Sequence, residues 1–349
     1  MYDEIFVLSL GVASILLFAW AFKALPQENW QILATVPLAK EGIQNWKGLN
    51  FTYYGIFIAL ATVTGVFILL VLTSAIHVPI TLTFLLVGSI LVIGLAASKA
   101  VALRVENKPY TFTIAGACFA GVFAVPPIVF ILDHFIIAEP NHLPVIPILA
   151  SFAIAYAIGE GLGRLACISF GCCYGKPLSE CHPIVRRFFR KHGFVFTGKL
   201  KKIAYESGLD GKHVVPVQAV TALLYVTVGL VATLFFLKGH SSISLLLTIF
   251  VTQSWRVLSE TLRADYRGLG NFTAYQIMAL VSIAYVLLVV YLLGGAVAPD
   301  ANLATGLASL WDPTVILFLQ CVGLVTFLYT GRSMVTAATI SFHIVRDRI

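Results

Sequence analysis

Apolar stretches of about 20 residues recur along most of this chain, and no other feature limits its fold so tightly. As a helix, a stretch of that length crosses the roughly 30 Å hydrocarbon core of a bilayer. Lipid offers no hydrogen bonds to an open backbone, so helices are the default spanning element. Nine such stretches occur, near 4–22, 52–76, 80–103, 111–132, 143–163, 214–237, 241–262, 272–296 and 313–330. The expected fold is an all-α polytopic integral membrane protein with about nine transmembrane helices. The composition agrees: 11% of residues are charged, against about 25% in soluble domains. A mean hydropathy of +0.93 excludes a soluble enzyme. The first stretch opens on Asp3 and Glu4 rather than on a basic segment. It is read as a retained anchor, although Ala19-Trp20-Ala21 mimics a cleavage site.

Net charge is +7, and its distribution is lopsided. With nine spans, Lys238 falls on one side of the membrane and the remaining Lys and Arg fall on the other side or near it. The basic side holds 23–51, 104–110, 164–213, 263–271 and the tail after 331. The positive-inside rule places that side in the cytoplasm. The segment between the first two spans, with Trp30 and Trp46, is expected to lie partly in the interface as a short amphipathic helix. The one long polar excursion, 164–213, is read as a small ordered subdomain on the membrane surface.

Two constellations carry chemistry. Arg256, Glu260, Arg263 and Arg267 are spaced four, three and four apart, so a continuous helix puts them on one stripe. Charges at membrane depth normally face a cavity or a protein partner. Two arginines braced by a carboxylate offer fork geometry to phosphate oxygens. A structural ion pair between helices is the other reading of the same stripe. The second constellation lies in 158–177. Gly159, Gly161 and Gly163 suit close helix packing. Glu160 and Arg164, four apart, can pair on one face. Arg164 is expected where helix meets polar loop, within reach of a lipid headgroup. Gly171, Gly175 and Pro177 force a tight, irregular backbone.

Cys167, Cys172, Cys173, Cys181 and His182 are spaced C-x4-CC-x7-CH, without the paired C-x2-C of structural zinc sites. Packing in a tight turn, a disulfide and a metal site stay open for them. No histidine pair has ligand spacing. Tyr53 and Tyr54 open the second span, as interfacial aromatics do.

Together these segments resemble the prolipoprotein diacylglyceryl transferase family. Tyr54-Gly55 looks like the Tyr-Gly pair that opens the family's first core helix. The family signature GRxGNFxNGExxG is matched in register by Gly163-Arg164-Leu165-Ala166-Cys167 and Gly171-Cys172-Cys173-Tyr174-Gly175. Arg256, Glu260 and Arg263 match RFxxExxR, and Val215-Pro216-Val217-Gln218-Ala219 echoes HPTQLYE. The sequence departs from the family where Ala115-Gly116-Ala117 replaces His-Gly-Gly, where Cys167 replaces the signature asparagine and where Cys172 replaces the signature glutamate.

The resemblance implies a division into 1–49 (anchor and interfacial segment), 50–296 (seven-helix core) and 297–349 (extra helix and basic tail). It implies a bacterial plasma (inner) membrane protein whose site opens to the periplasmic side, against the charge count. It also implies transfer of a diacylglyceryl group from phosphatidylglycerol, or a similar anionic phospholipid, to a lipoprotein cysteine. Arg164, Arg256 and Glu260 become the expected catalytic residues. Tyr54, Arg263, Gly171, Gly175 and Gln218 become the expected substrate-binding residues. No metal, cofactor or nucleic acid is implied. A paralogue with another acceptor and a non-catalytic lipid-binding or transport protein are the alternatives carried forward.

Overall fold

The structure is a computed structural model and describes residues 2–107, 113–136, 142–266, 272–295 and 299–349. Its elements run α1 (Tyr2–Ala24), β1 (Ile32–Glu41), β2 (Asn45–Thr52), α2 (Tyr53–Ala75), α3 (Ile80–Glu106), α4 (Ile114–Ile136) and α5 (Val145–Phe170). A polar subdomain follows, with α6 (Pro183–Phe189), β3 (Phe194–Val195), α7 (Lys202–Ser207) and β4 (His213–Val214). The chain closes with α8 (Val217–Leu237), α9 (Ser241–Leu262), α10 (Ala274–Leu293), α11 (Leu303–Ala308), α12 (Pro313–Thr330) and β5 (Arg332–Ser341). Among the described residues, nine helices are long and apolar enough to cross a membrane. The protein is a multi-pass membrane protein.

Helix α5 is the axis of the bundle, with α2, α8 and α9 packed around it. Small residues make this possible, because close backbone approach is what drives helix association in lipid. A Cβ on Gly159 would stand 3.3 Å from the Ala61 carbonyl oxygen of α2. One on Gly161 would stand 2.8 Å from Val226 of α8. The outward faces stay apolar, as in Leu8, Val12, Ile15 and Leu16 of α1 and Leu287 and Leu288 of α10. The Pro126-Pro127 pair inside α4 is tolerated because packed neighbours take up the disturbed backbone.

The polar segments gather at one end of the bundle. Thr197 donates its backbone N–H to Pro26, and Gln31 donates its side-chain amide to Leu200. Gly175 pairs with Arg263 across an isolated bridge. At the opposite end, Lys238 meets Glu4 at 2.6 Å. The lone cation read on that face therefore sits beside the acidic start of α1.

Two sequence expectations are corrected. The segment between the first two spans holds no amphipathic helix beyond one turn at Glu28–Trp30. It folds as a β-hairpin of β1 and β2, and β5 adds antiparallel to β2, giving the order β1-β2-β5. Strand β2 turns Trp46, Gly48, Asn50 and Thr52 to its more buried face in alternation, and a left-handed Gly42 (φ 85) sits at the turn, as suits a ribbon. The fifth span also runs on to Phe170, so Arg164 lies inside α5 and not at its junction with the loop.

Lys201 is fully buried, and its Nζ donates to the carbonyls of Leu25 at 3.1 Å and Ser169 at 2.7 Å. It ties the end of α1 to the end of α5, where helix dipoles favour a cation. Burial pulls its ammonium from 10.5 down to about 8. Below that pH the native and unfolded chains both carry the proton. Between about 8 and 10.5 the unfolded chain carries more, so stability rises through this window. The expected slope is at most about 1.4 kcal/mol per pH unit. Unfolding midpoints in detergent from pH 7.5 to 10, compared with Lys201→Met, check it: only the parent chain should show the rise.

Candidate active site

The buried polar centre is assembled by α5 and α9. On α5, Tyr156, Glu160 and Arg164 recur every four residues and share one face. On α9, Ser244, Thr248, Thr252, Arg256 and Ser259 form a buried stripe, while Phe250 and Leu258 face outward. This is the inverse of a soluble amphipathic helix, as expected where polar groups must avoid lipid.

Glu160 is 6% exposed and is the hub. Its carboxylate accepts from the Arg256 guanidinium at 3.0 and 2.8 Å, and also from Arg164. The Arg256 guanidinium donates as well to the Tyr156 hydroxyl at 2.7 Å. One carboxylate thus holds two guanidinium groups from two helices in a water-poor centre. The three charges sum to +1. Among the described residues, the buried Nε–H of both Arg164 and Arg256 has no hydrogen-bond partner. Buried charge without a counter-charge is costly, and a buried donor without an acceptor adds to that cost. The centre therefore has chemistry suited to a singly charged anion carrying several acceptor oxygens.

Arg263 does not extend the α9 stripe, because the helix stops at Leu262 and Arg263 turns extended. It is held by Asp265, with Nε to Oδ1 at 2.8 Å and Nη2 to Oδ2 at 2.5 Å, and by Glu260 at 3.8 Å. Burial alone would lower its pKa; the charges of Cys173 and Asp265 outweigh that and hold it above the ordinary arginine value. Glu260 accordingly braces Arg263, and the carboxylate that orients Arg256 is Glu160. Arg267, the last residue of the expected stripe, lies outside the described residues.

The remaining expected residues surround the turn after α5. Gly171 (φ 73) ends the helix in the left-handed region. Cys172 donates its backbone N–H back to Cys167, and Gly171 donates to Cys167 and Ile168, which is the Schellman closure of a helix. Gly171→Ala is expected to cost about 1–2 kcal/mol, the penalty of a left-handed L-residue, visible as a lowered unfolding midpoint. Gly175 runs so close to the Val215 carbonyl that a Cβ would overlap it. Gln218, buried on α8, donates to the Cys172 carbonyl at 2.8 Å. Tyr54 packs edge-on against Phe170, ring centroids 5.7 Å apart, with Arg164 and the three cysteines of the turn as its electrostatic neighbours.

Tyr156 and Cys118 are the residues that sequence reasoning missed. Cys118 follows the Ala115-Gly116-Ala117 run on α4 and stands in the electrostatic field of Glu160, Arg256 and Tyr156. An acidic residue one turn before Arg164 was the available signal for the hub; nothing marked Tyr156 among the chain's other tyrosines. A separate groove of about 580 Å³ on the polar subdomain, lined by Leu178, Pro183, Arg186, Arg187, Arg190 and His213, shares no residue with this centre.

The sequence model of the prolipoprotein diacylglyceryl transferase family matches residues 43–292. No curated protein matches the chain.

Proposed function

The chain belongs to the prolipoprotein diacylglyceryl transferase family, and from that premise we propose that it moves the diacylglyceryl group of phosphatidylglycerol to a cysteine thiol of a lipoprotein precursor. In this step the acceptor sulfur bonds to the glyceryl carbon. The bond from that carbon to the phosphate oxygen breaks, the thiol gives up its proton, and glycerol phosphate leaves with its charge increased by one. What the site must supply is stabilisation of charge growing on a phosphate.

The single observation that carries this reading is the pair of buried, unpartnered Nε–H donors on Arg164 and Arg256, with Glu160 fixing both guanidinium groups. Preorganised donors in a water-poor site act most strongly where charge develops. Arg164 and Arg256 take the phosphate, Glu160 sets their geometry, and Tyr54 binds beside the headgroup. Glu260 positions Arg263 for the outer headgroup. Gly171, Gly175 and Gln218 shape the turn that closes the site.

The experiment is turnover. Purified protein in phosphatidylglycerol vesicles, given a lipobox peptide, should release glycerol phosphate and add one diacylglyceryl group per peptide. A second reading, the same donor with a different acceptor, is favoured by Ala115, Cys167 and Cys172 standing where the family carries histidine, asparagine and glutamate. Release of glycerol phosphate without peptide modification supports that reading. Binding of phosphatidylglycerol without any release supports a carrier.

We further propose that the polar subdomain faces the periplasm from the bacterial inner membrane. Arg186, Arg187, Arg190 and Lys191 would rest against anionic headgroups, each such cation near the surface adding about 1 kcal/mol of attraction. An Arg190→Cys chain is then expected to react with a membrane-impermeant thiol reagent in intact cells, well above the parent level. Labelling only after lysis reverses the orientation.

A further inference from the structure

The turn that ends α5 folds the adjacent pair Cys172 and Cys173 back against Cys167. The Sγ atoms of Cys167, Cys172 and Cys173 all lie within 4.8 Å of one another, and those of Cys167 and Cys173 are 3.9 Å apart. All three are free thiols. Helical backbone carries Cys167, and the Schellman turn folds Cys172 back over it. Cys173 then adopts φ 56, a left-handed conformation that is unfavourable for a residue with a side chain. We propose that Cys167, Cys172 and Cys173 form a three-thiolate site for a soft d10 cation, with Cu(I) its occupant.

Spacing, charge and access each fit. A cation with metal–sulfur bonds of about 2.3 Å at the centre of three sulfurs holds them about 4.0 Å apart, close to the distance already present between Cys167 and Cys173. Thiolate, not thiol, is the ligand. The guanidinium groups of Arg263 and Arg164 place positive charge around Cys173. Lys202 adds positive charge beside Cys172 and Cys173. Binding releases three protons and changes no oxidation state, leaving a cluster of charge −2 among those cations. Cys167 is buried, and Cys172 and Cys173 are half-buried, so the ligands stand at the edge of the core and within reach from the polar end.

The ligand set selects the ion. Soft thiolates favour Cu(I) and zinc. Among the described residues no histidine or carboxylate joins the three sulfurs. Cu(I) is satisfied by three sulfurs in a plane, whereas zinc is almost always four-coordinate in structural sites. The proposal stands apart from the transferase reading and does not depend on turnover.

The test uses the full-length chain in detergent, stripped of metal and kept reduced. Cu(I) is titrated against a chromophoric Cu(I) chelator, and Zn(II) in parallel against a zinc indicator. One equivalent of Cu(I) is expected to be retained. X-ray absorption on the loaded parent chain should show three sulfur neighbours, a result that needs no variant to fold. Cys167→Ser, Cys172→Ser and Cys173→Ser should each weaken retention by more than about 100-fold, beyond the 10–100-fold that follows loss of an outer-shell partner. Cys118→Ser and Cys321→Ser should leave it unchanged. Failure of the parent chain to hold Cu(I) against the chelator overturns the proposal. So does preference for zinc with a fourth light-atom ligand, or a thiol count two short in the parent chain purified without reductant.

Discussion

Arg256→Ala is expected to reduce glycerol phosphate release by about 10²–10³-fold, the loss typical when one preorganised donor to a developing anion is removed. The helices should remain assembled, because Glu160 keeps Arg164 as its partner. What disappears is one of the two guanidinium groups whose Nε–H has no acceptor among the described residues. Arg256→Lys distinguishes charge from shape. Lysine preserves a cation but offers no planar fork, and the Tyr156 hydroxyl and Glu160 are both held by the Arg256 fork. A large loss in Arg256→Lys assigns the residue to geometry, and near-complete rescue assigns it to charge alone. Initial rates with labelled phosphatidylglycerol, alongside helical content by circular dichroism, are the measurements. Unchanged release from Arg256→Ala removes the phosphate clamp from the reaction.

Glu160→Gln should act on the fold itself. The carboxylate separates two buried guanidinium groups from different helices. Neutralising it leaves like charges together away from water, and loss of one partner in such a buried network costs about 3–5 kcal/mol. The unfolding midpoint should fall well below that of either arginine variant, which each retain a neutral pair. The double variant Glu160→Gln/Arg164→Gln should recover part of the loss, because residues within one network couple and do not add. Equal midpoints for the single and double variants would show that repulsion between Arg164 and Arg256 is not what the Glu160 carboxylate relieves.

The membrane architecture was legible because spanning lipid leaves so few alternatives. Helix α9 (Ser241–Leu262) and helix α12 (Pro313–Thr330) end where hydropathy places them. Helix α5 is the instructive exception. A hydropathy reading stops at Arg164, but the helix continues to Phe170 because Glu160 receives the charge one turn earlier. Arg256 was visible as a charge at membrane depth, whereas Arg164 was expected at the helix–loop junction and lies inside α5. The partner of Arg256 was misassigned, since Glu260 is near Arg256 in sequence and Glu160 is near it only across two helices. The thiol cluster was hidden for a related reason. Ligand spacing rules describe loops, whereas here a helix terminus with a left-handed glycine converts C-x4-CC into neighbours. The β-hairpin was missed because aromatics beside a membrane suggest an interfacial helix, while its third strand comes from the distant tail.

That third strand has a consequence for how the chain matures. Residues 45–52 emerge early and carry a row of backbone donors and acceptors that β5 later occupies. Until β5 follows α12 across the bilayer, β2 presents an open edge of the kind that recruits foreign strands. Deleting residues from Arg332 onward would therefore leave every membrane helix intact yet yield a product prone to pairing edge to edge with its own copies.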